Sequence, residues 1–324
     1  MVVNTPLNHP IIENPNVLAG RNAKIYEGKT VNFNQYPPGY INPINVKTIK
    51  KVLNIDSRFR SSYYSTLSTN FHIDLPETFR RIVNLRLSSF EIPLTAYAIN
   101  SSNNCFSIDS NNIDISYGNY TTPFTAVNFQ DSSANIINMI NNAINEHPVT
   151  DVSYSIDPVS GKSKFTGTSA HTIFFNQDCS GDVDLDTPLP LKLGWLLGFR
   201  AGSYDLLANG SITSEGIVAI AAPKYVYICI NDFTNAGNNN FIAAFSESTL
   251  SPNIIARIQY QELIQHDGIY NFGMDDDTLY GTREYFGPVD IQKLHLQILD
   301  EYGRVLDLNN MDWSCTLTFD ILYD

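Results

Sequence analysis

The residues best placed to do chemistry are Asp182, Asp184 and Asp186, whose D-x-D-x-D spacing could gather oxygen ligands around calcium. A helix-flanked calcium loop would then need Gly at its sixth position and Glu at its twelfth. Thr187 and Leu193 stand there instead, so no bound metal is expected. Asp275, Asp276 and Asp277 lie between Gly273 and Gly281 and read as a solvated acidic loop. The histidines, His9, His72, His147, His171, His266 and His295, form neither H-x-H nor H-E-x-x-H. On a strand, H-x-H would put two metal ligands on one face. The chain contains no G-x-S-x-G nucleophile elbow, no phosphate-binding G-x-x-x-x-G-K-[ST] and no G-x-G-x-x-G. Asp300 and Glu301 are adjacent but belong to a turn, facing apart. A glycosidase's two acids need not be close in sequence, so spacing does not address that chemistry. Every motif that spacing can test is missing. The expectation is a protein with no catalytic residue, no cofactor and no metal.

The four cysteines, Cys105, Cys179, Cys229 and Cys315, are widely separated and form no C-x-x-C. Cys105, Cys229 and Cys315 each sit in an apolar run, where a free thiol behaves as a small buried hydrophobe. The reading is reduced cysteines with no disulfide and no zinc site. Net charge is −13, which argues against direct nucleic-acid contact. No apolar run approaches the roughly 20 residues of a transmembrane segment. The sequons at Asn100, Asn119 and Asn209 read as chance matches in an Asn- and Ser-rich chain.

The elements around these residues are strands. The chain has 324 residues, 43% of them hydrophobic and only 16% charged. A surface of uncharged polar groups and tyrosines loses little charge solvation when a partner covers it, which suits broad protein contact. Leu294, Leu296 and Ile298 alternate with polar residues, while Val289 and Ile291 have the opposite parity. One extra residue near Gln292 and Lys293, a bulge, reconciles them. Residues 300–303 (DEYG) read as a tight turn with Gly303 at positive φ. Cys315, Leu317, Phe319, Ile321 and Tyr323 mark the last strand. Upstream, Phe71, Ile73 and Leu75 form a strand ending at Pro76, and Val83, Leu85 and Leu87 share a face. Hairpins are expected around residues 110–112 and 158–161, with further strands over 224–233, 241–245 and 254–260. One helix stands out over 133–146, capped by the cluster at 131–133. Residues 189–199 (LPLKLGWLLGF) read as a buried plug, with Trp195 and Trp313 in the core.

Residues 1–46 differ. Pro6, Pro10, Pro15, Pro37, Pro38 and Pro43 bar regular structure, yet Phe33, Tyr36, Tyr40 and Ile41 are good anchors. They are the candidate partner-binding residues of an extended N-terminal arm. The whole reads as an all-β, antiparallel jelly-roll-like sandwich over 47–324, with a helix-containing insertion at about 120–210.

In chain order, VLNIDSRF (52–59), TNFHIDLP (69–76), LRLSSFEIP (85–93), LGWLLGF (193–199), YICINDF (227–233), REYFGPVDIQKL (283–294) and DEYGRVLDLNNMDWS (300–314) resemble one family. It is the minor capsid and penton-type proteins of nucleocytoplasmic large DNA viruses, the giant viruses among them. The resemblance implies a jelly-roll structural protein of an icosahedral double-stranded DNA virus, located in the virion and assembled in the host cytoplasm. It implies a minor capsid protein binding major-capsid capsomers together from the shell's inner side, or else a penton at the vertex. The partners implied are the major capsid protein, other minor capsid proteins and further copies around a symmetry axis. A carbohydrate-binding β-sandwich is the expectation from another class.

Overall fold

In the computed structural model, residues 48–120, 122, 135–221, 223–234, 253–260 and 281–323 are described, together with the backbone of 269–273. Residues 50–321 form one compact unit, and the account concerns that unit. Strands β1 (Thr48–Asp56), β2 (Asn70–Pro93), β10 (Tyr225–Asn231), β11 (Ile254–Gln259), β12 (Ile269–Gly273), β13 (Thr282–Leu299) and β14 (Ser314–Leu322) build the main sheet. Its order is β1-β14-β2-β13-β10-β11, and β12 also pairs with β2. The pairings of β2 with β12, β13 and β14, and of β10 with β11 and β13, are antiparallel.

β2 explains the architecture. Its buried residues change parity three times, from Phe79 to Ile82, to Leu85 and Leu87, and to Phe90 and Ile92. A regular strand cannot do that, because successive side chains alternate faces. Each change coincides with a bulge. Opposite β13, Val289 faces Ile82 and Ile291 faces Phe79, leaving an extra β2 residue where Arg81 has φ 59°. Arg81 there donates its backbone N–H to Asp290 Oδ1 at 2.9 Å. Opposite β14, the register slips at Val83 and again at Ser88.

β2 also bends. Phe71 and Phe90 both pack on Trp313, with ring centroids 6.1 and 5.4 Å from it. A straight strand would hold them roughly 60 Å apart at ~3.3 Å per residue. The sheet therefore folds over on itself, and its inner faces share one core with Phe79 edge-on to Phe319 at 5.1 Å. The chain is all-β, and this body is a jelly-roll-like sandwich.

Two sequence expectations meet corrections here. The strand does not end at Pro76. Asp74 faces Lys293 and Phe79 faces Ile291, so Pro76 sits in the slack of a register break where no ladder N–H is required. Val83 does not share the buried face of Leu85 and Leu87. It is a bulge residue and only half-buried. The bulge expected near Gln292 and Lys293 is present between Ile291 and Lys293. The 300–303 turn is present too, with Gly303 at φ 90°.

A second core runs from Ile99 to Ile220. Around it lie the sheet of β3 (Cys105–Ile108), β4 (Asn111–Asp114), β7 (His171–Phe174) and β8 (Ser203–Leu206), and that of β5 (Val152–Ile156), β6 (Lys162–Gly167) and β9 (Gly210–Ile217). Helix α1 (Ile136–Asn145) buries Ile136, Ile140, Ala143 and Ile144 at helical spacing. Its cap is Asn135, whose Oδ1 accepts from Ile137 N at 2.9 Å, rather than the 131–133 cluster, which lies outside the described residues. Short helix α2 (Leu193–Leu196) is the expected plug. A Cβ on Gly194 would lie 2.4 Å from the Phe175 ring, so only glycine admits this packing. Trp195, expected in the core, is half-buried and carries the Arg200 guanidinium on its face at 4.1 Å. Trp313 is in the core. The strand read at 241–245 lies outside the described residues.

Candidate partner-binding surface

The loop from β1 to β2 is rigid although it contains only two 3-10 turns, Ser57–Phe59 and Tyr63–Ser65. Asp312 is its hub. Its carboxylate accepts from Arg60 Nη1 at 2.7 Å, Ser57 Oγ at 2.8 Å and Tyr63 OH at 3.2 Å. Ser57 N donates to Trp313 O, Trp313 N to Ser57 Oγ, and Trp313 Nε1 to Ser68 O at 2.6 Å. The Arg60 guanidinium also stacks on Tyr63 at 4.0 Å. With Arg60 only 5% exposed, these charge-assisted bonds fix the loop strongly. What the loop then presents is apolar. Phe59 is 83% exposed, and Tyr64, Leu67 and Met311 are exposed beside it.

A second hub repeats this logic. Asp232, past the end of β10, is buried with Arg283 and Tyr285 of β13. Arg283 Nη1 donates to Asp232 Oδ2 at 2.9 Å and to Ile230 O at 2.7 Å, and Nη2 donates to Asn253 O at 3.1 Å. Tyr285 OH donates to the same carboxylate oxygen at 2.5 Å, while Thr234 N and Oγ1 donate to Oδ1. Burial pushes the Asp232 carboxyl up, but the Tyr285 hydroxyl and Arg283 guanidinium outweigh it and hold the acid below its ordinary range. Beside these buried groups stand exposed rings. Phe233, at φ 58°, is exposed under the Lys293 ammonium, and Phe286 is 84% exposed in the 285–288 excursion of β13.

The second hub inverts the usual pattern, with its charges inside and Phe233 and Phe286 outside, and the first, half-buried, ties the core residue Trp313 to a loop that exposes Phe59 and Tyr64. The buried charges are paired, so none is left without a counter-charge. The exposed rings keep only cation or ring contacts on part of their surface, Arg58 over Phe59 and Lys293 over Phe233, and the apolar area left in solvent marks contact surfaces.

No family model matches the chain, and no curated protein matches it in sequence. Among solved structures, it is similar to the crystal structure of selenomethionine-labelled mavirus penton protein. The identity is 13% and the TM-score 0.37, over 84% of this chain and 99% of that one.

The candidate residues Phe33, Tyr36, Tyr40 and Ile41 lie outside the described residues, as do Asp275, Asp276 and Asp277. Phe59, Tyr64, Phe233 and Phe286 were not singled out from sequence. Only Phe286 lies in a strand, where alternation beside buried Tyr285 could have signalled its exposure; Phe59, Tyr64 and Phe233 sit in turns, which leave no periodic signal.

The central acid of the triplet, Asp184, is committed elsewhere. Asp184 pairs with Lys192, and that bond holds its carboxyl well below the usual range. Asp184 Oδ1 also accepts from Asp186 N and Thr187 N. Calcium titration is expected to move the melting temperature by no more than about 1 °C, since only binding to the folded state stabilises it. A rise of several degrees would refute this.

The reduced-cysteine reading needs correction. Cys105 and Cys179 form a disulfide, whereas Cys229 and Cys315 are free and buried. Burial pushes the Cys229 thiol up to about 12, which leaves it unreactive at neutral pH. The disulfide lines a cleft of about 1600 Å3, together with Lys192, Lys224, Glu301 and Arg304. Burial raises the Glu301 carboxyl above its ordinary value.

His171, at the start of β7, links the two smaller sheets. Nδ1 lies 2.7 Å from Asp109 Oδ2 and Nε2 lies 3.0 Å from Asp151 Oδ1. Burial lowers the imidazole's pKa, but the two carboxylates outweigh it and raise it above the usual value. The same bond lowers Asp151. A raised His stabilises the fold below its unfolded pKa of about 6.5 and loses that contribution as pH climbs through the folded value. A lowered Asp loses its contribution in acid. The pair therefore stabilises most between about pH 4 and 6.5. In urea melts the stability of wild type relative to His171→Gln should fall as pH rises above the unfolded value of about 6.5. His295 has the opposite sign, held low by burial and by His72, and is common to both chains, so it cancels. A pH-independent difference between the two chains would contradict this.

Proposed function

We propose that this chain is a structural protein of the capsid of a large icosahedral double-stranded DNA virus. Within that shell its place is that of a minor capsid protein that binds major-capsid capsomers together from the inner side. One observation carries the reading. The stretches that resemble capsid proteins, far apart in sequence, meet at two charge hubs, one half-buried and one buried. DSRF joins NMDWS through Ser57, Asp312 and Trp313, and NDF joins REYFGP through Asp232, Arg283 and Tyr285. Each hub holds exposed aromatics rigidly outward, a preorganised contact surface that loses little entropy on docking. The sandwich supplies the stiff frame, and the arm 1–46 supplies further anchors for neighbouring subunits.

The test is co-expression with the major capsid protein of the source virus. Truncating a hot-spot aromatic costs about 2 kcal/mol or more, so Phe59→Ala with Tyr64→Ala should weaken co-assembly by roughly a thousandfold if the two add. The free variant should keep its stability within about 0.5 kcal/mol, because both side chains are exposed. Undiminished co-assembly of the double variant would overturn this surface assignment. A particle reconstruction placing the chain at the five-fold vertex would overturn the inner-side assignment.

A further inference from the structure

Behind the disulfide that lines the cleft lies an unexplained oxygen. Asn104 precedes β3 and is only 8% exposed. Its Nδ2 donates to Ile115 O at 3.1 Å, and its backbone carbonyl accepts from Ile115 N at 2.9 Å, so the amide orientation is set. Its Oδ1 points at Cys179 Sγ, 3.7 Å away. A disulfide sulfur carries no hydrogen. Among the described residues, nothing else donates to that oxygen. A buried carbonyl without a donor is costly, and such a group needs an explanation.

Asp114 supplies the second observation. It lies directly opposite Cys105 in the β3–β4 register. Its carboxylate and the two sulfurs lie within 4.8 Å of one another. Four donors thus converge: two sulfurs, a carboxylate and an amide oxygen aimed inward. We propose that, once the disulfide is reduced, Cys105, Cys179, Asp114 and Asn104 form a binding site for a thiophilic divalent cation, zinc(II) foremost. Two thiolates and two oxygens make a tetrahedral set, with thiolates selecting zinc over magnesium or calcium. A free Cys179 thiol would satisfy Asn104 alone; a cation engages all four groups.

The chemistry balances with a dithiol as reductant. The dithiol transfers two electrons and two protons to the S–S bond and becomes a disulfide itself. The cation then displaces the two thiol protons into solvent and is held by the resulting thiolates. Cys179 is exposed and lies in a loop, so it can be reached by the reductant and can draw away from Cys105. This site is independent of the capsid reading and needs no particle to test.

The experiment uses the full chain, reduced without oxygen by a phosphine that is then removed, and titrated with cobalt(II) as a spectroscopic probe. The expected result is one cobalt per chain, with thiolate-to-metal charge-transfer absorption that zinc abolishes by displacement, and none in the oxidised chain. Asp114→Asn should weaken binding at least about tenfold, since it removes the anionic ligand, and Cys179→Ser should remove most of the absorption. Near-ultraviolet circular dichroism reports whether the reduced chain keeps its fold. Absence of the absorption, its persistence unchanged in Cys179→Ser, or loss of the fold on reduction would each overturn the proposal.

Discussion

Asp232→Ala is expected to destabilise the fold by about 3–5 kcal/mol, the cost of leaving a buried charge without its partner. Arg283 and Asp232 are 5% and 2% exposed, so water cannot replace the lost carboxylate. Arg283 would keep its bonds to Ile230 O and Asn253 O, but with no counter-charge. The Tyr285 hydroxyl would lose its acceptor as well. Tyr285→Phe, which removes one hydrogen bond and leaves the ion pair, should cost only about 1–3 kcal/mol. Replacing both charges, as in Asp232→Leu with Arg283→Met, should recover much of the loss, because apolar pairs of similar volume often match a buried ion pair. Urea denaturation with a double-mutant cycle measures all three. A loss under about 1 kcal/mol in Asp232→Ala would mean that the hub is hydrated and does not anchor Phe233 and Phe286. The pH dependence has a definite sign. Asp232 is held below its unfolded value, so its contribution is complete above about pH 4 and disappears as acid protonates the folded carboxyl.

Deleting residues 1–46 is expected to leave the sandwich folded and to abolish incorporation into particles. Among the described residues, the two cores begin at Ile55 and at Ile99 and each packs on its own strands, which is the ground for expecting the sandwich to survive. Phe33, Tyr36, Tyr40 and Ile41 fall close together around Pro37 and Pro38. Each fully buried side chain contributes about 2–3 kcal/mol, roughly 10 kcal/mol together. Ordering residues 33–41 costs about 1.5 kcal/mol apiece, less where proline already restricts the chain. The anchors therefore offset most of that cost, and adjoining contacts can tip the balance. Particle incorporation of the truncated chain at wild-type levels would show that these residues bind nothing in the shell.

The sequence alone determined what is local. Alternation located the strands. The turn residues located both hairpins, the one between β5 and β6 at residues 158–161 and the one expected at 110–112 shifted to Asp109 and Ser110, with Asn111 and Asn112 already paired in β4. The parity conflict between Ile291 and Leu294 located a bulge before any partner strand was known. Period-two patterning works because it depends only on which face a side chain occupies. Partners across the chain are another matter. Cys105 meets Cys179 across a separation of 74 residues, and Asp312 meets Arg60 across 252. Side-chain periodicity states that a residue is buried, not against what. β2 likewise reads as separate short strands, because its bulges reset the parity that a reader follows. Only the tertiary structure decided that these pieces are one bent strand, that charges lie inside while Phe59, Phe233 and Phe286 lie outside, and that Asn104 faces a sulfur with no hydrogen to give. Those outcomes depend on chain topology, which places groups within bonding distance without leaving a periodic mark in the sequence.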